Sequence, residues 1–270
     1  AFSSIAIAGI GVLMVILTGG IDLSAGSIYG LAGVISAMCC FNLGMGVFPA
    51  MVMGVLAGAV FGFLNSLLVI YCKLPPFIAT LGTQQIIRGV CTILTKGYPI
   101  SKLPEGYMFL GQGEFLGIPM AVWCMIAVAI ICHIFLEETV TGRRIFALGG
   151  NAEATRISGI NTKALLMLVY TLCAVLAGFA GIITASKLGV GQPTAGTGFE
   201  TDAISAAVIG GASLSGGAGS VVGTVIGAAI IGVLRNALVL LSVDSYWQML
   251  IMGVVIIGAV TLDQLRHAKK

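Results

Sequence analysis

Residues able to do acid–base, nucleophilic or metal chemistry are few in this sequence, and their spacing argues against an enzyme. His133 and Glu137 stand four apart in an apolar helical run and so share a face. No second histidine or cysteine lies near enough to complete a metal site, and a pair at the edge of the apolar run fits better. The other histidine, His267, is in the C-terminal tail, which leaves no candidate Ser/His/Asp grouping. No G-x-x-x-x-G-K-[ST] run occurs, and Gly217, Gly219 and Gly223 spell G-x-G-x-x-x-G inside an apolar stretch, not after a strand. Cys39, Cys40, Cys72, Cys91, Cys124, Cys132 and Cys173 sit in or at the ends of apolar stretches with no C-x-x-C pair. That is the pattern of small packing residues, not of disulfides or zinc.

The remaining charges fall into two groups. Arg88 and Arg235 lie inside apolar runs, where an ionisable group is costly, yet both stand toward the ends of their runs, where a long side chain snorkels to the headgroups. Asp22 and Asp202 open or close helical runs and read as helix caps. The sizeable charged stretch is Glu137 to Lys163, EETVTGRRIFALGGNAEATRISGINTK. Within it Gly149-Gly150-Asn151 signals a turn, Asn151 can cap, and Ala152 to Ile157 favours a short helix, so the segment is either a solvated loop or a docking element.

The elements that carry these residues are set by composition. Apolar residues make up 58% of the 270 positions and charged ones 9%, with a mean hydropathy of +1.10. Soluble domains run at about 45–50% apolar and about 25% charged, so a water-exposed surface cannot be built from this chain. A spanning helix needs roughly 20 apolar residues, and about nine runs qualify. They are Ser3 to Ile21, Ser27 to Asn42, Val47 to Tyr71, Phe77 to Thr95, Ile118 to Phe135, Ala164 to Ser186, Asp202 to Leu214, Ser220 to Leu241 and Trp247 to Leu262. The expected fold is all-α, a polytopic membrane helix bundle forming one domain over residues 1–270. Ser27 to Asn42 and Asp202 to Leu214 are short, which predicts broken or re-entrant segments of the kind that line transport sites. Glycines at four-residue spacing, Gly54-Gly58-Gly62 and Gly219-Gly223-Gly227, predict close helix crossings.

Sidedness follows from Lys and Arg, which are in excess in cytoplasmic loops. Threading back and forth through nine spans puts Lys73, Arg143, Arg144, Arg156, Lys163, Arg266, Lys269 and Lys270 on one side, with Lys96, Lys102 and Lys187 opposite. The first side is therefore expected to be cytoplasmic, with the C-terminus inside and Ala1 outside. One further N-terminal helix would return the start to the cytoplasm and give ten spans. Lys73-Leu74-Pro75-Pro76 reads as a cytoplasmic turn, and Lys96 to Gly117, with Pro99 and Pro104, as a long external loop. Gly19-Gly20-Ile21-Asp22-Leu23-Ser24-Ala25-Gly26-Ser27 resembles Gly210 to Ser220, a trace of internal duplication such as transporter halves show.

Four segments carry a further resemblance: LTGGIDLSAGS from Leu17, PPFIATLGTQQIIRGV from Pro75, GRRIFALGGNAEATRISGIN from Gly142, and QPTAGTGFETDAISAAVIGGASLSGGAGSVVGTVIGA from Gln192. In order and spacing the chain resembles, along essentially its whole length, the permease subunits of bacterial ABC importers for monosaccharides, the ribose-type branch. The resemblance implies ten helices and a pair of permeases in the bacterial inner membrane. It also implies a periplasmic or lipid-anchored sugar-binding protein as feeder and a cytoplasmic ATPase that binds ATP and Mg, with no cofactor in this chain. Residues 137–163 are then a coupling segment, with Arg143, Arg144, Asn151, Glu153, Arg156 and Gly159 at the ATPase. Asp22, Ser24, Asn65, Gln84 and Thr194 are the expected translocation-pathway residues. The chain departs from the family pattern at Ala25, where valine is usual, and at Arg235-Asn236-Ala237, where an Asn-Asn-Gly-like run is common. A stand-alone secondary transporter or channel would need acidic or histidine relays in mid-span, and a membrane enzyme would need clustered catalytic groups; the sequence offers neither.

Overall fold

The computed structural model describes residues 2–267. The basic pair Lys269-Lys270, counted above for sidedness, lies outside them. Each of the nine apolar runs forms a helix. α1 (Phe2–Leu17) is apolar all round and buried all round, every residue from Ser3 to Leu17 being enclosed. α2 (Ala25–Phe41) is nearly as enclosed, and α9 (Thr162–Leu188) lies against both, so these three make the centre of the bundle. Around them stand α3 (Val47–Ile70), α4 (Pro76–Thr95), α6 (Met120–Glu138), α10 (Phe199–Ile209), α11 (Val221–Leu240) and α12 (Ser245–His267). Five of these helices, α3, α4, α6, α9 and α11, are long and apolar enough to cross a bilayer. Their outward faces display Phe48, Val60, Ile93, Ile131, Val233 and Leu240, a surface suited to acyl chains.

Glycine sets the close crossings. Gly54, Gly58 and Gly62 put one face of α3 against α2 and α9, and a Cβ at Gly58 would come within 2.8 Å of Ile28. Gly223 and Gly227 do the same for α11 against α10. Gly219 differs from the expectation: it lies in the loop before α11, which starts at Val221 with Ser220 as its cap, the Ser220 hydroxyl accepting from Gly223 N at 3.0 Å.

The long loop after α4 is partly ordered as α5 (Glu105–Gln112) and a two-stranded hairpin, β1 (Glu114–Phe115) with β2 (Ile118–Pro119). Leu116 and Gly117 make its turn with φ of 55° and 75°. α5 is held on the bundle by Tyr107, whose hydroxyl meets Ser36 at 2.5 Å, and by Ser186, which accepts from Gly111 N and donates to Tyr107 O. The charged segment forms α7 (Val140–Gly150) and α8 (Ala152–Ile157). Lys163 sits over the Tyr71 ring at the start of α9, and Ile100 bridges Gly191 just past its end.

Two short runs were expected to be broken, and the structure relocates one break. α2 is continuous; the irregular stretch is Thr18 to Ser24, just before it. The seventh run is broken as expected. Gly189 to Gly198 descends without helix, α10 has only 11 residues, and Gly210 to Ser220 is irregular again.

Candidate functional site at the helix breaks

The first break is held by a knot of polar side chains. Asp22 Oδ1 accepts from both Ser24 N (2.8 Å) and Ser24 Oγ (2.6 Å), and Asn65 Nδ2 donates to Ser24 Oγ at 2.8 Å. Thr80, from the first turns of α4, accepts from Leu23 N at 3.1 Å and donates its hydroxyl to Pro76 O and, at 3.2 Å, toward Ile21 O. Asp22, Ser24, Asn65 and Thr80 are fully buried. Three expected pathway residues, Asp22, Ser24 and Asn65, are therefore together, enclosed in this conformation. Asp22 does not cap α2; it closes the turn ahead of it, because Ser24 and not Asp22 stands at the helix entry.

Gln84 lies elsewhere, donating to Glu200 Oε1 at 3.0 Å, and Thr194 is exposed in the turns that lead to α10, accepting from Gln192. That stretch, Gly189 to Gly198, is one of the two irregular segments flanking α10 that make up the second break, and Arg88 satisfies it. Its Nη1 donates to Ala195 O (2.5 Å) and Pro193 O (3.2 Å), and its Nη2 to Gly26 O (3.1 Å). Irregular backbone at membrane depth persists only where such partners replace water. Arg88 thus turns inward instead of snorkelling. Arg235 also differs from the expectation, since its Nη2 donates to Asp202 Oδ1 at 2.7 Å, and Asp202 is paired where a cap was expected. His133 and Glu137 are both exposed; among the described residues the ion pairs are Asp202–Arg235 and Glu153–Arg156.

The charged segment bridges the two breaks. Thr139 joins α6 to α7, donating to Phe135 O at 2.6 Å and accepting from Gly142 N at 3.0 Å. Gly149 and Gly150, read from sequence as a turn, stay within α7. Gly149 is glycine because it rests on backbone, the Leu17 carbonyl where α1 ends and Gly217 N. Gly217 N in turn donates to Leu17 O at 2.9 Å, so the two glycine-rich stretches that resemble each other meet under α7. On the outer side, Asn151 caps α8 by accepting from Ala154 N at 2.9 Å, and Arg144, Asn151, Glu153, Arg156 and Gly159 are exposed. Arg143 lines a cavity of about 410 Å³ with Leu136, Glu137, Phe146, Ala218 and Gly219. Arg156 lies 2.6 Å from Glu153 and holds that carboxyl below its usual range by hydrogen bond and charge. The pairing is therefore present above the ordinary carboxylate pKa and lost as pH falls through the lowered value, and solvent screens it.

A family model described as a branched-chain amino acid transport system / permease component matches residues 1–260. The chain belongs to that permease family. It is 44% identical over 266 residues to the ribose import permease protein RbsC of Escherichia coli (strain K12), covering 97% of this chain and 83% of the relative. The RbsC of Bacillus subtilis (strain 168) is 45% identical over 262 residues, 96% of this chain and 80% of the relative. The D-allose transport system permease protein AlsC of Escherichia coli (strain K12) is 40% identical over 260 residues, 95% of this chain and 79% of the relative. No solved structure matches. The resemblance drawn from the four sequence segments is borne out.

Sequence reasoning on this permease missed Thr80, Glu200, the backbone contact of Gly149 and the inward role of Arg88. An arginine in an apolar run is a signal that could have flagged Arg88, whereas nothing local marks Gly149. The buried knot gives a first prediction. Asp22→Ala leaves the buried Ser24 donors without an acceptor and lowers stability by about 2–5 kcal/mol, whereas Asp22→Asn keeps Oδ1 and costs under about 1 kcal/mol. Thermal unfolding of the detergent-solubilised permease checks this, and equal melting temperatures for the two variants would refute it.

Proposed function

We propose that this chain is the membrane-spanning subunit of an ATP-driven importer. It carries a monosaccharide, ribose or a related sugar, delivered by an extracytoplasmic binding protein. The observation that supports this best is the placement of α7 and α8. An exposed, charged double helix rests directly on both helix breaks, as a lever driven from outside the membrane requires. The relatives named for ribose and D-allose give the substrate class. The family model's description names amino acids, but the relatives matched over 95–97% of this chain are named for sugars.

In this reading the α7–α8 end is cytoplasmic, residues 137–163 are the coupling segment, and a separate ATPase chain binds ATP and Mg and docks on Arg143, Arg144, Asn151, Glu153, Arg156 and Gly159. Ile157, 75% exposed in the middle of that polar surface, is an apolar anchor for the same partner. A second permease copy fits the outward face of α4. There Gly82, Gln85, Gly89 and Thr92 are exposed at helical spacing, and small and polar residues of this kind mark helix interfaces in lipid. Asp22, Ser24, Asn65, Gln84 and Thr194 then lie along the route that alternating access opens and closes. A stand-alone secondary transporter or channel is set aside, because the matched family is described as a transport-system component.

The experiment that tests the reading is sugar uptake in proteoliposomes with and without the ATPase subunit, with loss of uptake expected on its omission. Undiminished uptake without ATPase would sink it. Charge reversal of Arg143 and Arg144 to Glu is expected to cut ATPase co-purification and uptake about tenfold. Normal coupling in that variant would move the docking surface elsewhere.

A further inference from the structure

Away from the knot and from α7, a cavity of about 510 Å³ opens where the start of α10, the last third of α11 and the first turns of α12 come together. Its walls carry Thr197, Thr201, Asp202, Arg235 and Gln248, with Met249 and Met252 as the apolar part. The Asp202 side chain is 5% exposed and is paired at 2.7 Å with Arg235, which is 47% exposed. A buried carboxylate reached by a half-open guanidinium is a built feature of the cavity wall, not a surface pair.

The hydrogen-bonding capacity left over is informative. Arg235 uses Nη2 on Asp202 Oδ1, and a guanidinium has five N–H donors, so donors remain to face the cavity. Thr197 and Thr201 spend their hydroxyl protons on Thr194 O and Gly198 O and keep lone pairs. Gln248 spends Nε2 on Val243 O and keeps its carbonyl oxygen. The cavity thus offers fixed donors and fixed acceptors side to side, with its formal charges already matched. That array suits a solute whose every polar group both donates and accepts, as vicinal hydroxyls do. It disfavours an anion, which would meet Asp202 together with Arg235. Among the described residues the lining includes no aromatic ring on which a sugar face could stack, so binding is weak, as a transit position requires.

We infer that this cavity is a holding site for one neutral polyhydroxylated solute of monosaccharide size, with the Asp202–Arg235 fork as its specificity element. The inference rests on the importer reading. It adds a site to that reading, lined by residues none of which is among the pathway residues named from sequence.

The test uses the complete complex of permease, ATPase and binding protein in lipid vesicles, with D-ribose as the neutral probe and ribose 5-phosphate as the anionic one. Arg235→Gln and Gln248→Leu are each expected to lower the sugar carried per ATP hydrolysed about tenfold. A Thr201→Cys complex is expected to react with a small thiol reagent about threefold more slowly when ribose is present, with no protection by ribose 5-phosphate. If Arg235→Gln fails to assemble, Gln248→Leu and the labelling still decide the matter. Wild-type sugar-to-ATP ratios in both assembled variants, or labelling indifferent to ribose, would overturn the site. Should the unmodified complex take up no sugar at all, the importer reading falls, while ribose protection of Thr201→Cys separately supports or refutes the cavity.

Discussion

Gly149→Val abolishes ATP-driven uptake, with at least about a hundredfold loss, while Gly150→Ala next to it leaves uptake intact. The two glycines are adjacent in α7 and would be ranked alike by helix propensity, where replacing glycine by alanine gains about 1 kcal/mol. Their surroundings separate them. A side chain at Gly150 enters open space, whereas one at Gly149 runs into the Leu17 carbonyl and comes within 2.5 Å of Gly217 N. Both obstacles are backbone and cannot rotate away as a flexible side chain would. Overpacking of this kind costs about 1–3 kcal/mol or more when neighbours must move, and here the neighbours are the ends of both helix breaks. α7 would lift from the bundle and lose its hold on the element it is proposed to drive. Uptake in vesicles, measured alongside ATPase co-purification, checks the pair. Equal activity of the two variants would show that the α7 contact transmits nothing.

Arg88→Leu prevents assembly of the permease, and Arg88→Lys restores it only in part. The leucine variant leaves the carbonyls of Pro193 and Ala195 without their donor and strips the Gly26 carbonyl of the bond it accepts beside its helix bond. Each buried unpartnered carbonyl costs about 1–3 kcal/mol, and in hydrocarbon no water can substitute. Two together cost about 2–6 kcal/mol, a large share of a bundle's ordinary stability of about 5–15 kcal/mol. An ammonium on a flexible stem cannot reproduce the forked geometry that reaches two strands of backbone at once. The expected readout is at least a tenfold drop in monodisperse permease recovered from membranes for Arg88→Leu, with the lysine variant intermediate. A leucine variant that purifies and transports normally would remove the arginine from this role.

The helices themselves were legible because hydrocarbon imposes one strong demand, a run of apolar residues, and each of the nine runs became a helix even where it was too short to cross. The breaks were legible as shortness. Even so, the shortness of the second run marked an irregular stretch ahead of it, Thr18 to Ser24, because an apolar run ends where polar residues begin and not where hydrogen bonding changes. Asp22, Ser24 and Asn65 could be picked out as polar residues in apolar runs, and they converge. Gln84 and Thr194, chosen on the same ground, lie in other neighbourhoods because residue type carries no information on which helices are adjacent. Arg88 and Arg235 were open to two readings. Snorkelling and inward pairing need the same side chain and differ only in where Pro193, Ala195 and Asp202 run. Gly149 was hidden most completely, since its reason is a carbonyl more than a hundred positions away.

The enclosure of α1 bears on how the molecule is made. Its neighbours in the finished bundle include α9, α10 and α11, which leave the ribosome long after it does. α6 and α7 reach it earlier, but most of its enclosure among the described helices waits for α9, α10 and α11, so its final seat forms only when the last third of the chain arrives. Assembly is therefore gated late, by the C-terminal helices closing around an element that has been waiting, and a nascent chain stalled before α9 would present that unclaimed helix to membrane quality control.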